Sequence, residues 1–380
     1  MIELHPTSFD GFKEGPAKAD QKLLLTDSGT VPLELSELPY DFDLPGLISL
    51  LHGDRLRVKL SPILANWLGP SAKLLNVRAY LRRLFPGKRC TVELELMIDH
   101  GDALPVGHRR VLGKFYREDQ GASVYETLHA LRRSGFGASR FAVPEPIAWA
   151  REHRLLLLKW ADGTLLSSLL LDRSAAGRQM ESAAEWLLRL HHCGITAGRR
   201  YSFERHLLTL GRWKELLAEV YPQGERLLNA LVSRFEECSK DLAGWTPCPT
   251  HRDFSPEHLV IHADRLTCLD LDEFCQYDPL FDVAHFIAHL RFLSLTQSGA
   301  IGQFDGLCDR FLDNYESSCE EFSSERLNLY LAISYFKLGR FVALIERPEG
   351  WDSLLAQLLA EAERTLRRST WGLEKSSDRR

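Results

Sequence analysis

Nothing in this chain approaches the roughly 18 consecutive apolar residues that a bilayer-spanning helix needs. Stretches such as Leu155–Leu158 and Leu169–Leu171 are the size of core elements. The opening MIELHPTSFDGFKEGP carries acids and glycines where a secretory peptide requires an apolar block. The eight cysteines, at 90, 193, 238, 248, 268, 275, 308 and 319, contain no Cys-x-x-Cys and no tight pairing pattern. They read as reduced, partly buried small hydrophobes, and the expected location is cytoplasmic, with no membrane partner. A surplus of basic charge is also missing: 47 Lys and Arg stand against 52 Asp and Glu, a net charge of -5. That balance argues against a nucleic-acid partner held by bulk charge. There is no internal repeat, no low-complexity segment, no Gly-x-Ser-x-Gly elbow and no Walker loop. What remains is a chain of 380 residues, 44% hydrophobic and 26% charged. It is neither disordered, collagenous nor disulfide-built, and it is long enough for one large or two to three ordinary domains.

The periodicity changes along the chain. Residues 1–30 are polar and turn-rich, and short helical patterns surround Leu47–Leu51 and Ile63–Leu68. Leu74–Phe85 and Arg89–Ile98 alternate with period two about a Pro86-Gly87 turn, a hairpin signal. His108–Tyr116 predicts a third strand with Lys114 near its end, and Ser123–Arg133 a helix with Val124, Leu128 and Leu131 on one face. Pro144 and Pro146 precede two further strand-like runs, PIAWA and RLLLLKW. Beyond Asp162-Gly163 the spacing becomes helical, interrupted at residues 247–284 by short apolar strands, and the last dozen residues are expected to fray. The expected fold class is α+β in two lobes. An extension at 1–70 precedes a β-rich lobe at 71–159 and a helical lobe at 160–368, with a frayed tail at 369–380.

The interrupting segment holds the acids. His251-Arg252-Asp253 lies between apolar runs, and Asp270 and Asp272 follow in CLDLDEF. Two short strands would bring Asp253 and Asp270 to one edge, where converging carboxylates repel unless something positive sits between them. Magnesium is the simplest candidate, since hard cations prefer carboxylate oxygens. His285 and His289, four apart in AHFIAHLR, have the spacing of a zinc helix but lack the intervening Glu; they read as core or interface histidines.

THRDFSPEHLVI followed by LTCLDLDEFCQYDPLFDVAHF resembles the core of the aminoglycoside phosphotransferase/choline kinase-like family. That family's pattern is H-x-D-x-x-x-x-N, then I-D-(F/W)-(D/E), then D-P-x-x-D. Here the blocks are His251 and Asp253, then Asp270 and Asp272, then Asp278-Pro279 and Asp282, in the same order and spacing. LLRLHHCGI is similar to a further family segment, and the resemblance covers about residues 74–295. It implies a protein-kinase-like fold and transfer of a phosphoryl group from ATP, with Mg, to a hydroxyl of a small molecule of aminoglycoside, sugar or amino-alcohol type. It implies Asp253 as catalytic base, with His251 supporting its loop. Asp270 and Asp272 would be metal ligands, with His258 in the family's asparagine position. Lys114 would lie on the α/β phosphates, Glu126 would pair with Lys114, and the Leu158–Trp160 backbone would receive the adenine. Three positions depart from the pattern: His258 replaces the asparagine, FPGKRC has a single glycine in place of a glycine-rich loop, and Arg252 stands where the family has a small glycine. The acids Asp272, Glu273 and Asp278 suggest a polar or cationic acceptor. A catalytically silent kinase-like module that binds a nucleotide or a partner is the alternative. A protein kinase ranks third, because no activation segment separates LDLDEF from Asp278-Pro279.

Overall fold

Alternation in the first third of the chain folds as it reads. In the computed structural model, which describes residues 43–377 except 52–54, 102–104, 138, 171–172 and 241–244, two helices come first, α1 (Pro45–Leu51) and α2 (Arg55–Leu68). The strands β1 (Lys73–Phe85), β2 (Arg89–Asp99) and β3 (Gly107–Tyr116) follow, then α3 (Gln120–Leu131), β4 (Phe141–Ala142), β5 (Pro146–Ala150) and β6 (Leu155–Lys159). Five of these strands make an antiparallel sheet in the spatial order β1-β2-β3-β6-β5. Successive side chains of a strand point to opposite faces. On β2, Cys90, Val92, Leu94, Leu96 and Ile98 therefore face a core shared with Leu47, Leu50, Leu56, Leu60 and Leu64 of the two leading helices. Residues 45–68 of the expected extension thus belong to the small lobe's own core. Residues 1–42, including the turn-rich opening, lie outside the described residues.

The other face of the sheet looks toward the large lobe and carries Lys114, paired across the ladder with Thr91 on β2 and Leu156 on β6. The lobes join through Trp160–Gly163. Gly163 takes φ +138°, and a Cβ there would lie 2.4 Å from the Ile261 carbonyl oxygen. Only glycine fits a backbone approach that close.

The large lobe contains β7 (Thr164–Leu165), α4 (Leu166–Leu169), α5 (Arg173–His191), β8 (Arg199–Arg200), α6 (Phe203–Val220) and α7 (Glu225–Ser239). The short strands β9 (Cys248–Thr250), β10 (Leu259–His262), β11 (Arg265–Cys268) and β12 (Cys275–Tyr277) hold the motif region. The chain closes with α8 (Leu280–Ser298), α9 (Asp305–Glu316), α10 (Ser324–Phe341) and α11 (Trp351–Ser377). The short strands form two small sheets, β4-β11-β10-β7 and β8-β12-β9. α8 is buried almost all round, from Leu280 through Leu290, as expected for a helix apolar on every side. α10 packs between α8 and α11. Ser324–Glu346 is long and apolar enough to cross a membrane by length and composition, but Tyr330, Ile333, Tyr335 and Phe336 on it are fully buried in the lobe's core.

The result is the two-lobed α+β arrangement expected. The closing helix, α11, runs from Trp351 to Ser377. Its Leu355, Leu358, Leu359 and Ala362 are buried against the lobe, and that anchored apolar stripe propagates the helix.

Candidate active site

The loop after β9 is held from below by one carboxylate. Asp282, fully buried in the first turn of α8, accepts the backbone N–H groups of His251 and Arg252, each at 2.7 Å, and the His191 ring at 3.2 Å. Charge-assisted bonds of this kind are about twice as strong as neutral ones. Arg252 takes φ +63°, a left-handed conformation that costs a side-chain-bearing residue about 1–2 kcal/mol and explains why a glycine suits this position. Here the arginine is retained by packing: its guanidinium lies 3.6 Å over the Tyr201 ring, with Tyr277 and Phe281 further out. His251 is also fully buried. Its Nε2 donates to the Leu269 carbonyl (2.9 Å), and its Nδ1 accepts the Asp253 N–H (3.2 Å). Burial holds its pKa below the ordinary value, so the ring is neutral. It ties the Asp253 loop to the Asp270 segment as a positioning residue.

Asp253 has two differently placed oxygens. Oδ1 receives Lys337 Nζ at 2.8 Å and lies 3.2 Å from His285 Nε2. Burial favours the neutral acid, but Lys337 and His285 outweigh it and hold Asp253 well below the usual carboxylate range. Burial, with Lys337 beside it, keeps His285 neutral. The sequence reading missed Lys337. Its signal was a lone lysine directly after the apolar run LNLYLAISYF of α10. His285 is a core histidine as read, but one aimed at the Asp253 carboxylate, with its ring stacked on Phe281 and 4.4 Å from that of His289.

Asp270 follows β11 in a left-handed conformation (φ +54°). Its Oδ1 accepts Lys114 Nζ at 2.8 Å, and Arg89 Nη1 lies 3.5 Å away. Asp272 receives Lys114 at 2.9 Å and the Tyr116 hydroxyl at 3.1 Å on Oδ1, while Arg89 bonds Oδ2. Burial opposes the Lys114 ammonium, yet the two aspartates raise its pKa above the ordinary value. Burial likewise opposes the Asp270 carboxylate, and Lys114 and Arg89 hold its pKa down.

One expectation is corrected here. Glu126 does not pair with Lys114. α3 buries Val124, Thr127, Leu128 and Leu131, and Glu126 projects from its exposed face; at 100° per residue it stands about 200° from Val124. The acids that Lys114 meets are Asp270 and Asp272. Asp272, in turn, is engaged with Lys114, Tyr116 and Arg89 and is not one of the three residues whose ligand atoms converge in this structure. Arg89, the first residue of β2, is the second small-lobe cation to reach Asp270 and Asp272.

His258 joins the two aspartates. Its Nδ1 lies 2.7 Å from the Asp253 carbonyl oxygen, and its Nε2 faces Asp270 Oδ2 at 3.8 Å. Asp253, His258 and Asp270 each present one ligand atom, and these atoms all lie within 4.8 Å of one another. Two carboxylate oxygens and an imidazole nitrogen fit a divalent cation that accepts nitrogen; they suit magnesium less well than an all-oxygen set does.

At the hinge the N–H groups of 159 and 160 are engaged within the small lobe. Lys159 donates its N–H to the Glu145 carbonyl at 2.8 Å and Trp160 to the Arg110 carbonyl at 3.4 Å. Leu158 lies within the β6 ladder with its side chain in the core. The backbone of 158–160 is therefore largely committed to the sheet. Beside it, a groove of about 650 Å³ is lined by Trp67, Glu95, Arg110, Trp160 and Asp162 among others. Arg82 and Arg110 both lie over the Trp160 ring, 5.6 and 4.7 Å from its centre. Both also approach Glu93, a carboxylate only 3% exposed in its side chain. The acids expected to attract a cationic acceptor have partners within the protein: Asp278 is buried against Arg326 (3.3 Å), Glu273 faces Arg199, and Asp272 meets Lys114, Tyr116 and Arg89. Burial pushes the Asp278 pKa up to about 6 against the pull of Arg326.

This geometry has relatives. Choline kinase LicA from Streptococcus pneumoniae superposes with a TM-score of 0.53 at 17% identity, covering 82% of this chain and 98% of that one. A spectinomycin phosphotransferase, APH(9)-Ia, solved with ADP and spectinomycin, gives 0.56 at 10% identity (82% and 97%). The amicoumacin kinase hAmiN, solved with AMP-PNP and Ca2+, gives 0.57 at 13% identity (82% and 94%). At these identities the likeness shows a shared kinase-like fold. A search of curated protein sequences finds no significant match. The sequence profile of the phosphotransferase enzyme family matches residues 106–320, more than half of the chain and all of the motif region, and on that match the protein belongs to the phosphotransferase enzyme family.

Proposed function

We propose that this protein transfers the γ-phosphoryl group of a nucleoside triphosphate, ATP in the first instance, to a hydroxyl of a small molecule. The observation that carries the reading is the convergence of Asp253, His258 and Asp270 beside Lys114 and Arg89, two cations that reach the cleft from the sheet of the small lobe. Three carboxylates, Asp253, Asp270 and Asp272, are balanced by Lys337, Lys114 and Arg89. A polyphosphate arriving with a divalent cation therefore meets a site that is neutral overall but holds donors ready to turn toward phosphate oxygens. Lys114 and Arg89 take the phosphates by exchanging carboxylate for phosphate partners. When bound, the metal supplies charge neutralisation at the phosphates, and Asp270 and His258 hold it.

Asp253 does the acceptor's part. In phosphoryl transfer the bond from the γ-phosphorus to the bridging oxygen breaks as the acceptor oxygen bonds to phosphorus, and the hydroxyl proton leaves late. A carboxylate kept ionised by Lys337 orients the hydroxyl through its free oxygen and receives that proton, leaving a phosphate ester and the nucleoside diphosphate. Spectinomycin and choline, named for the structural relatives, are hydroxyl-bearing small molecules, and aminoglycosides, sugars and amino alcohols form the acceptor panel. With Asp272 and Asp278 internally paired, attraction of a cationic acceptor is not part of the reading.

A silent module is the second reading, favoured by the commitment of the hinge amides and by the charged Arg82–Glu93–Arg110 cluster beside Trp160. The deciding experiment incubates the full chain with ATP or GTP, Mg2+ or Mn2+, and the panel, and follows phosphate-ester formation by phosphorus NMR. Transfer by wild type that is abolished in Asp253→Ala supports the enzyme. Nucleotide binding with no ester formed from any acceptor supports the silent module.

A further inference from the structure

The donor set between Asp253 and Asp270 has a chemistry of its own. Each aspartate has one oxygen anchored and one left over: Asp253 Oδ1 by Lys337 and His285, Asp270 Oδ1 by Lys114. Among the described residues no hydrogen-bond donor reaches the second oxygen, Oδ2, of either. Both Oδ2 atoms instead face His258, at 3.7 Å from Nδ1 and 3.8 Å from Nε2 respectively. The ring's tautomer follows from its contacts. Nδ1 sits 2.7 Å from a carbonyl oxygen, that of Asp253, which has only lone pairs to offer, and 3.3 Å from the Ser255 hydroxyl, so Nδ1 donates to that carbonyl and Nε2 is the nitrogen turned toward Asp270. Metal-bound histidines use the same device, donating the distal N–H to a backbone carbonyl and thereby fixing the ring.

Nε2 and Asp270 Oδ2 face each other at 3.8 Å. That is too long for a hydrogen bond, and two metal–ligand bonds of about 2.1 Å each reach across it. Asp272 is not among the residues whose ligand atoms converge here.

We propose that His258 and Asp270, beside Asp253, form a divalent-metal site in which the His258 imidazole selects a nitrogen-accepting first-row transition ion, of the manganese-to-cobalt class, over magnesium. The proposal rests on the phosphotransferase reading for its place in catalysis, but the site binds its ion without nucleotide. Imidazole nitrogen raises affinity along the series from manganese to cobalt and adds little for magnesium, which demands oxygen donors and keeps its waters. The ion identity is thereby set by this chain's departure from the family asparagine.

The test titrates Mg2+, Mn2+ and Co2+ separately into the nucleotide-free full chain, by calorimetry for all three and by visible absorption for Co2+. Wild type, His258→Asn and Asp270→Asn are compared, with thermal melting of each to establish folding. Wild type is expected to bind Mn2+ and Co2+ at least about tenfold more tightly than Mg2+. His258→Asn is expected to lose most of that preference and to change the Co2+ spectrum, and Asp270→Asn to weaken all three ions. Equal or tighter binding of Mg2+ by wild type, or an unchanged preference and spectrum in His258→Asn, overturns the proposal. Should the metal bind as expected while no nucleotide binds, the transfer reading fails and the metal site stands; should transfer proceed with Mg2+ and Mn2+ bound alike, the reverse holds.

Discussion

Two buried acids, Asp282 in the large lobe and Glu93 in the small one, organise the two sides of the cleft in different ways. Asp282 holds backbone: its oxygens take the N–H groups of His251 and Arg252, and every group involved except His191 comes from about thirty consecutive residues. Glu93 holds side chains, Arg82 from β1 and Arg110 from β3, and through them a hinge tryptophan. A carboxylate on backbone fixes a loop's shape whatever side chains the loop carries. A carboxylate on arginines fixes a charge pattern that depends on all of its members. The loop of His251–Asp253 therefore keeps its shape even with an arginine at a φ of +63°, while the charge pattern on the sheet face above it depends on every one of its members.

Removing Asp282 tests the stronger half of that contrast. Asp282→Ala leaves two buried N–H groups and His191 without their acceptor, and a loss of about 3–5 kcal/mol is expected in denaturant unfolding. A loss below about 1 kcal/mol would show that the loop is held by other contacts. Next in size is Lys337→Met. With its strongest cation gone, Asp253 becomes a weaker acid and is less well held. Phosphoryl transfer is expected to slow about 10- to 100-fold, with the acid limb of the pH–rate profile moving to higher pH. An unmoved limb would assign Lys337 to structure alone.

Glu93→Gln is expected to cost about 1 kcal/mol, because Arg82 and Arg110 are partly exposed and find water. The smallest effect is a difference between two variants at one position. Arg252→Gly relieves the left-handed backbone and Arg252→Ala does not, so both lose the Tyr201 stack but the glycine variant is expected to unfold about 1 kcal/mol later. Equal stability would remove the strain argument. Acid unfolding adds a check on sign. The folded pKa values of Asp253 and Asp270 are depressed. Their contribution is therefore present above the unfolded value of roughly 3.9 and is lost as pH falls below it toward the folded values. Asp270→Asn is expected to flatten the loss of stability below about pH 4.

The large-lobe site was legible because its parts are close in sequence: His251, Asp253, Asp270, Asp278 and Asp282 sit in short strands and turns whose order dictates their meeting. The small-lobe strands were legible from period two alone. The partners of Lys114 were not. Choosing Asp270 and Asp272 over Glu126 requires knowing which face of α3 turns inward, and the Val124, Leu128, Leu131 stripe held that information, since it leaves residue 126 outside. Lys337 reaches Asp253 across 84 residues of sequence, and only its isolation in an apolar helix marked it. The Glu93 cluster came from the registers of three strands, which no single segment encodes.

The central claim is that the cleft between Lys114 and Asp270 receives nucleotide phosphates and their metal. Calorimetric titration of ATP with Mn2+ into wild type, Lys114→Met and Asp270→Asn tests it directly. The account predicts saturable one-to-one binding by wild type, weakened about tenfold or more in Lys114→Met. In Asp270→Asn the difference between titrations with and without Mn2+ should disappear. Undiminished, metal-dependent binding by both folded variants would contradict it.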